Sequence, residues 1–159
     1  MAGMVIGALA ITGCGDDSDD LTDGGSGGLT AQQALPTTAE DLVHQLYGAI
    51  AENDAATACA LFSPSGQAEF IAGTGMPSCE AAVDSIAQDV ADPAAFAQPA
   101  IEIDDPAATE LDEWCSTGIR VDIPVGALSD SGDIAAFAYT RQPDGTWQVT
   151  DYNTSSCGG

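Results

Sequence analysis

Five cysteines and one histidine are the residues of this 159-residue chain best suited to covalent or metal chemistry. Four of the five cysteines form an even set, which predicts two disulfides if the chain is exported to an oxidising compartment. Ligation of a metal by four thiolates is the alternative, but no spacing gives the C-x-x-C pair typical of zinc sites, so we expect neither metal nor cofactor. Spacing alone leaves all three connectivities open. The four cysteines concerned are Cys59, Cys79, Cys115 and Cys157.

The fifth cysteine, Cys14, directly follows the uncharged apolar stretch of residues 1–13 and ends the tetrapeptide ITGC. This arrangement resembles the lipobox of bacterial lipoproteins. The resemblance implies cleavage of a signal peptide before Cys14, whose thiol carries diacylglycerol, so that acyl chains such as palmitate hold the protein in the membrane. A transmembrane helix is the alternative, but 13 residues fall short of the roughly 20 needed. We therefore expect a lipid-anchored protein at the extracytoplasmic face of the cell membrane.

The charge of the chain excludes several classes of partner. It has 25 acidic residues against Arg120 and Arg141, and a formal net charge of −23. Nucleic acids and anionic lipid surfaces are bound through clusters of Lys and Arg, which the sequence lacks. Repulsion between the many acidic side chains favours a soluble monomer but opposes a compact fold. We therefore expect salt to stabilise the folded protein.

Three regions differ in composition. Residues 1–13 form the predicted signal peptide. Residues 14–35 are rich in aspartate and glycine with few apolar residues, which predicts a disordered tether. No register of residues 16–24 fits the calcium-binding loop of an EF-hand. Residues 36–159 are expected to form one α+β domain.

Four helical segments are predicted between residues 38 and 90. Thr38 is the expected N-cap of the first, because Leu42, Leu46 and Ile50 then recur on one apolar face. The second is predicted over 55–62, the third over 67–72 after a turn at 63–66, and the fourth from its N-cap Ser78 to residue 90.

Beyond residue 92 the pattern changes to the alternation of apolar and polar residues that is typical of strands. Strands are predicted at 101–104, 119–123, 134–140 and 147–152, with a tight turn at Pro143-Asp144-Gly145 between the last two. Helices followed by antiparallel strands indicate an α+β fold rather than alternating βαβ units.

Four segments together resemble small actinobacterial lipoproteins of the nuclear transport factor 2-like superfamily. They are 52–54 (END), 58–64 (ACALFSP), 78–82 (SCEAA) and 144–149 (DGTWQV). The resemblance implies N-terminal helices packed on a bent antiparallel sheet, giving a cone with an apolar pocket. It also implies a disulfide between Cys59 and Cys79, which leaves Cys115 and Cys157 to pair. It implies no particular reaction, because the superfamily serves many functions.

Few side chains are candidates for catalysis or ligand binding. His44 follows Leu42 by two residues, about 160° around the helix, so we expect it to face solvent. Arg120 and Arg141 alternate with apolar neighbours, so each either pairs with a nearby carboxylate or binds an anionic ligand. The aromatic residues of the last two strands form either core or pocket wall: Phe137, Tyr139, Trp147 and Tyr152.

These observations favour a non-catalytic module that binds a small apolar or anionic ligand, or a protein partner, at the membrane. Two alternatives remain: a cyclase- or isomerase-like enzyme that uses the cone pocket, and a structural spacer of the envelope. A carboxylate and a donor converging inside the domain would favour the enzyme. An open apolar cavity would favour the binding module, and a filled interior would favour the spacer.

Overall fold

The computed structural model describes residues 34–103, 113–114, 119–129 and 137–152. Five helices lie in the first of these ranges, and each begins at a side chain that caps it. They are α1 (Ala39–Ala51), α2 (Ala55–Ala60), α3 (Pro64–Thr74), α4 (Cys79–Asp89) and α5 (Pro93–Phe96). Within the described ranges, no helix has both the length and the apolar character that crossing a membrane requires.

The predicted helix starts are confirmed at three positions. The side chain of Thr38 accepts a hydrogen bond from the backbone N–H of Asp41 at 3.1 Å, and Ser78 accepts one from Ala81 at 3.2 Å. Asp54 caps α2 in the same way. Each of these oxygens satisfies one backbone N–H that has no partner within its helix.

The prediction was wrong at the start of α3. We expected residues 63–66 to be a turn, but the helix begins at Pro64, and Ser63 accepts a hydrogen bond from the Gly66 N–H at 3.1 Å. Proline suits the first helical position because its missing N–H would have no partner there. Helix α2 ends at Ala60 rather than 62, and the short helix α5 was not predicted.

The described strands form two antiparallel sheets. One pairs β1 (Ala100–Ile103) with β3 (Ile119–Asp122). The other has the order β2-β4-β5, from β2 (Glu113–Trp114), β4 (Phe137–Arg141) and β5 (Trp147–Tyr152). The mixture of helices and antiparallel sheets confirms the α+β class. Strand β2 was not predicted, and the predicted residues 134–136 lie outside the described part.

The turn between β4 and β5 is the predicted hairpin. Gly145 has φ +86°, a left-handed conformation that glycine adopts without steric penalty. Its N–H donates to the carbonyl of Gln142 at 2.9 Å, and the carboxylate of Asp144 accepts from the N–H and the hydroxyl of Thr146 at 3.0 and 2.7 Å. These bonds fix the register, which places Arg141 opposite Trp147.

Helix α1 supplies the central part of the core. Its apolar face is buried against the other helices and the β4–β5 hairpin, and Leu42, Leu46 and Ile50 are fully inaccessible to solvent, as the spacing predicts. The apolar spacing of four residues therefore identified the buried face correctly.

Candidate functional site

The disulfide between Cys59 and Cys79 joins the end of α2 to the first residue of α4. The two Cα atoms are 6.0 Å apart, and both residues are buried. This pairing is the one that the resemblance implied. Cys14, Cys115 and Cys157 lie outside the described residues, so the lipid attachment and the second bridge stay predictions.

Arg120 on β3 forms an ion pair with Glu102 on β1. The sheet register places the two residues directly opposite each other, and both side chains are more than half exposed. An ion pair in such contact with water contributes little to stability. Of the two roles considered for Arg120, pairing with a neighbouring carboxylate is therefore observed.

Arg141 lines a surface recess at the β4–β5 turn. The recess has a volume of about 350 Å³, and Arg141 shares its wall with Gln142, Pro143 and Gly145. The wall is held in place by the hydrogen bonds of the turn. The side-chain amide of Gln142 also donates to the backbone carbonyl of Thr140 at 3.2 Å. A cationic side chain thus stands at a preformed concave surface of a strongly acidic protein.

Asp144 is the acidic neighbour of this recess, and its charge is stabilised within the turn. The hydrogen bonds from the Thr146 hydroxyl and then the Thr146 N–H lower the pKa of the Asp144 carboxyl. The carboxylate therefore remains ionised at lower pH than an ordinary aspartate, and two of its acceptor positions are already used.

The three sequence-predicted polar residues lie on three different elements of the structure. Arg120 belongs to the β1–β3 sheet, and Arg141 belongs to the other sheet. His44 lies on α1 and is exposed, as the helical spacing predicted. No group of three or more potential metal ligands occurs among the described residues.

The interior next to β4 and β5 is packed with aromatic rings. Phe137 lies at the centre, with ring centroids 5.0 Å from Tyr152 and 5.8 Å from both Phe62 and Phe70. Phe62 and Phe70 stack on each other at 4.9 Å. Such edge-to-face and offset-stacked contacts stabilise a core by more than the burial of the ring surface alone would. The aromatic residues of the hairpin therefore serve as core in this region.

Two tyrosine hydroxyls are buried in this aromatic interior. Burial raises the pKa of Tyr47 and of Tyr139 well above the usual value of 10.0, so both hydroxyls are neutral at physiological pH. The two hydroxyls are close enough to influence each other's pKa, and Tyr139 Oη forms no hydrogen bond of normal geometry with any residue that the structure describes. The sequence predicted that Tyr139 forms either core or pocket wall, and it did not identify this buried hydroxyl, for which no local pattern exists.

Comparisons of this chain with protein-family models, with curated proteins and with solved structures found no match. The assignment to nuclear transport factor 2-like lipoproteins accordingly stays a proposal.

Proposed function

We propose that the chain is a membrane-anchored extracytoplasmic lipoprotein whose domain is a non-catalytic binding or interaction module. Cys14 after an apolar run supports the anchor, and the aspartate- and glycine-rich segment that follows has the composition of a tether. The Cys59–Cys79 disulfide is consistent with export, because such bonds persist mainly in oxidising compartments.

The observation that best supports a binding role is the recess at the β4–β5 turn. Its volume of about 350 Å³ is at the lower end of the range for small-ligand sites, and the recess is open to solvent. Arg141 would contact an anionic group, since a guanidinium donates paired hydrogen bonds to carboxylate or phosphate. The ligand would therefore be a small anion, or an acidic side chain of a protein partner. The nuclear transport factor 2-like cone is proposed as the architecture that carries this surface.

A structural spacer is the second candidate, and the aromatic packing around Phe137 favours it. Rings at 5.0 to 5.8 Å fill the space that a binding cone would leave open in this region. The binding module and the structural spacer both include the lipid anchor. They differ in whether a ligand or partner occupies the recess at the β4–β5 turn.

The anchor is tested by cell fractionation of the wild type and of Cys14→Ser. Acyl chains hold the wild type in the membrane, so the variant is expected in the soluble fraction. Cys115→Ser is the control, because it replaces a cysteine predicted to form a disulfide rather than to carry lipid, and it is expected to stay in the membrane. A Cys14→Ser variant that stays quantitatively in the membrane would contradict the lipid anchor.

The binding role is tested by native mass spectrometry of protein purified from its own membrane. The wild type is expected to carry a small-molecule adduct that Arg141→Gln loses. Arg120→Gln is the matched control, because it removes the same charge outside the recess. Adducts on none of the three proteins would favour the spacer, and equal adducts on all three would place the ligand elsewhere.

A further inference from the structure

The β4–β5 turn contains an aspartate followed by a glycine, Asp144-Gly145, on the surface of the domain. This dipeptide is chemically reactive, because glycine has no side chain to obstruct attack of its backbone nitrogen on the preceding carboxyl group. Asp144 is exposed, and a β-carbon on Gly145 would meet nothing within 4 Å. Burial and crowding therefore do not shield the pair from this reaction.

The reaction converts aspartate to isoaspartate through a cyclic imide. The Gly145 nitrogen loses its proton and bonds to Cγ of Asp144, while an oxygen of the protonated carboxyl group leaves as water. Water then adds to the main-chain carbonyl carbon of Asp144, and the bond from that carbon to nitrogen breaks. No other reactant is consumed. The backbone afterwards runs through Cβ and Cγ and is one atom longer.

Hydrogen bonds of the turn hold both reacting groups. The Gly145 N–H donates to the carbonyl of Gln142 at 2.9 Å. Oδ1 of Asp144 accepts from the N–H and the hydroxyl of Thr146 at 3.0 and 2.7 Å. Ring closure has to break the first bond and turn the carboxyl group out of the other two. The bonds from Thr146 also lower the pKa of the Asp144 carboxyl, so less of it carries the proton that ring closure requires.

We propose that Thr146 is a positioning residue that protects the Asp144–Gly145 bond from isoaspartate formation. Its hydroxyl is the part of this protection that depends on residue type, since any residue except proline would supply the N–H. The proposal does not depend on the binding role, but it concerns the same surface. Arg141 and Gly145 both line the recess, so a longer backbone at residue 144 would alter the wall between them.

The protection is tested by incubating the full chain at near-neutral pH and measuring isoaspartate at residue 144 by peptide mapping with mass spectrometry. The wild type is expected to isomerise at least about tenfold more slowly than a synthetic peptide of residues 141–147, because several hydrogen bonds must open first. Thr146→Val should isomerise about two- to tenfold faster than the wild type, the factor that corresponds to one lost hydrogen bond. Thr146→Ser keeps a hydroxyl and is expected to restore slow isomerisation.

Thr150→Val is the matched control in the same hairpin. The Thr150 hydroxyl forms a hydrogen bond with that of Thr140 at 2.7 Å, so this variant also loses a hydroxyl bond but leaves the contacts of Asp144 intact. It is expected to isomerise at the wild-type rate. Asp23-Gly24 is the other Asp-Gly sequence of the chain, and it gives a reference within each sample because the substitutions leave its sequence neighbours unchanged.

Three results would overturn the proposal. Isomerisation of the wild type at the rate of the peptide would mean that the turn gives no protection. Equal rates in the wild type and Thr146→Val would assign the protection to the backbone alone. Equal acceleration in Thr146→Val and Thr150→Val would assign it to the stability of the whole hairpin.

Discussion

Gly66 of α3 lies so close to Val149 of β5 that a β-carbon at position 66 would stand 2.2 Å from the Val149 carbonyl oxygen. That oxygen belongs to the backbone and accepts the hydrogen bond from Ser63, so it cannot move aside without opening the sheet edge. Helix α3 and strand β5 can approach each other this closely only because residue 66 has no side chain.

Replacing Gly66 by alanine is therefore expected to destabilise the domain. Overlap with fixed backbone typically costs about 1–3 kcal/mol, and the free energy of unfolding from denaturant titration measures it. Gly48→Ala is the matched control, because nothing lies within 4 Å of a β-carbon at that position in α1. The control should gain roughly 0.5–1 kcal/mol from helix propensity. A Gly66→Ala variant as stable as Gly48→Ala would contradict the close packing of α3 on β5.

Removing the Tyr139 hydroxyl is expected to leave the domain as stable as before or slightly more so. Tyr139 Oη is buried and forms no hydrogen bond of normal geometry within the described part of the chain, and deleting such a group removes a desolvation penalty of about 1–3 kcal/mol without losing a well-formed bond. Thermal unfolding of Tyr139→Phe measures this. Phe137→Ala is the comparison, since it deletes the central ring and should cost about 3–5 kcal/mol. A marked loss of stability in Tyr139→Phe would show that the hydroxyl has a partner.

Stability is expected to fall at high pH because of the buried tyrosines. The folded-state pKa values of Tyr47 and Tyr139 lie well above the unfolded value of 10.0, so the folded state binds more protons than the unfolded state above that pH. This stability is fully present below pH 10 and is lost as the pH rises toward the folded pKa values. The absorbance of tyrosinate should show that at least two of the three tyrosines ionise only with unfolding. Ionisation of all three near pH 10 in the folded protein would contradict their burial.

Sodium chloride is expected to raise the unfolding temperature of the full chain. The formal net charge of −23 makes the compact state repel itself, and the screening length falls from about 10 Å at 0.1 M salt to about 3 Å at 1 M. A thermal scan across this range measures the effect. Sucrose at matched osmolarity controls for general solute effects. An unfolding temperature that does not change with salt would mean that the charges are already neutralised in the fold.

Local patterns predicted much of the secondary structure. The spacing of Leu42, Leu46 and Ile50 identified both α1 and its buried face, and the Pro143-Asp144-Gly145 turn located the hairpin. The start of α3 was missed although a signal exists, because Ser63 followed by Pro64 suits a helix N-terminus as well as a turn. Helix α5 and strand β2 have four and two residues, and elements so short have no period to detect.

The sequence by itself determined the charge, the α+β order of elements and the exposure of His44, because each depends on composition or on neighbours along the chain. Tertiary structure alone decided that Arg120 pairs with Glu102, that Arg141 lies in a recess and that the Tyr139 hydroxyl is buried in the core. These features depend on sheet register and on contacts between residues distant in the chain. A slip of one residue in register would turn each side chain of a strand to the opposite face. The local turn sets this register for the β4–β5 hairpin, but β1 pairs with β3, which is not the next strand in the chain, so their register is decided only in the folded domain.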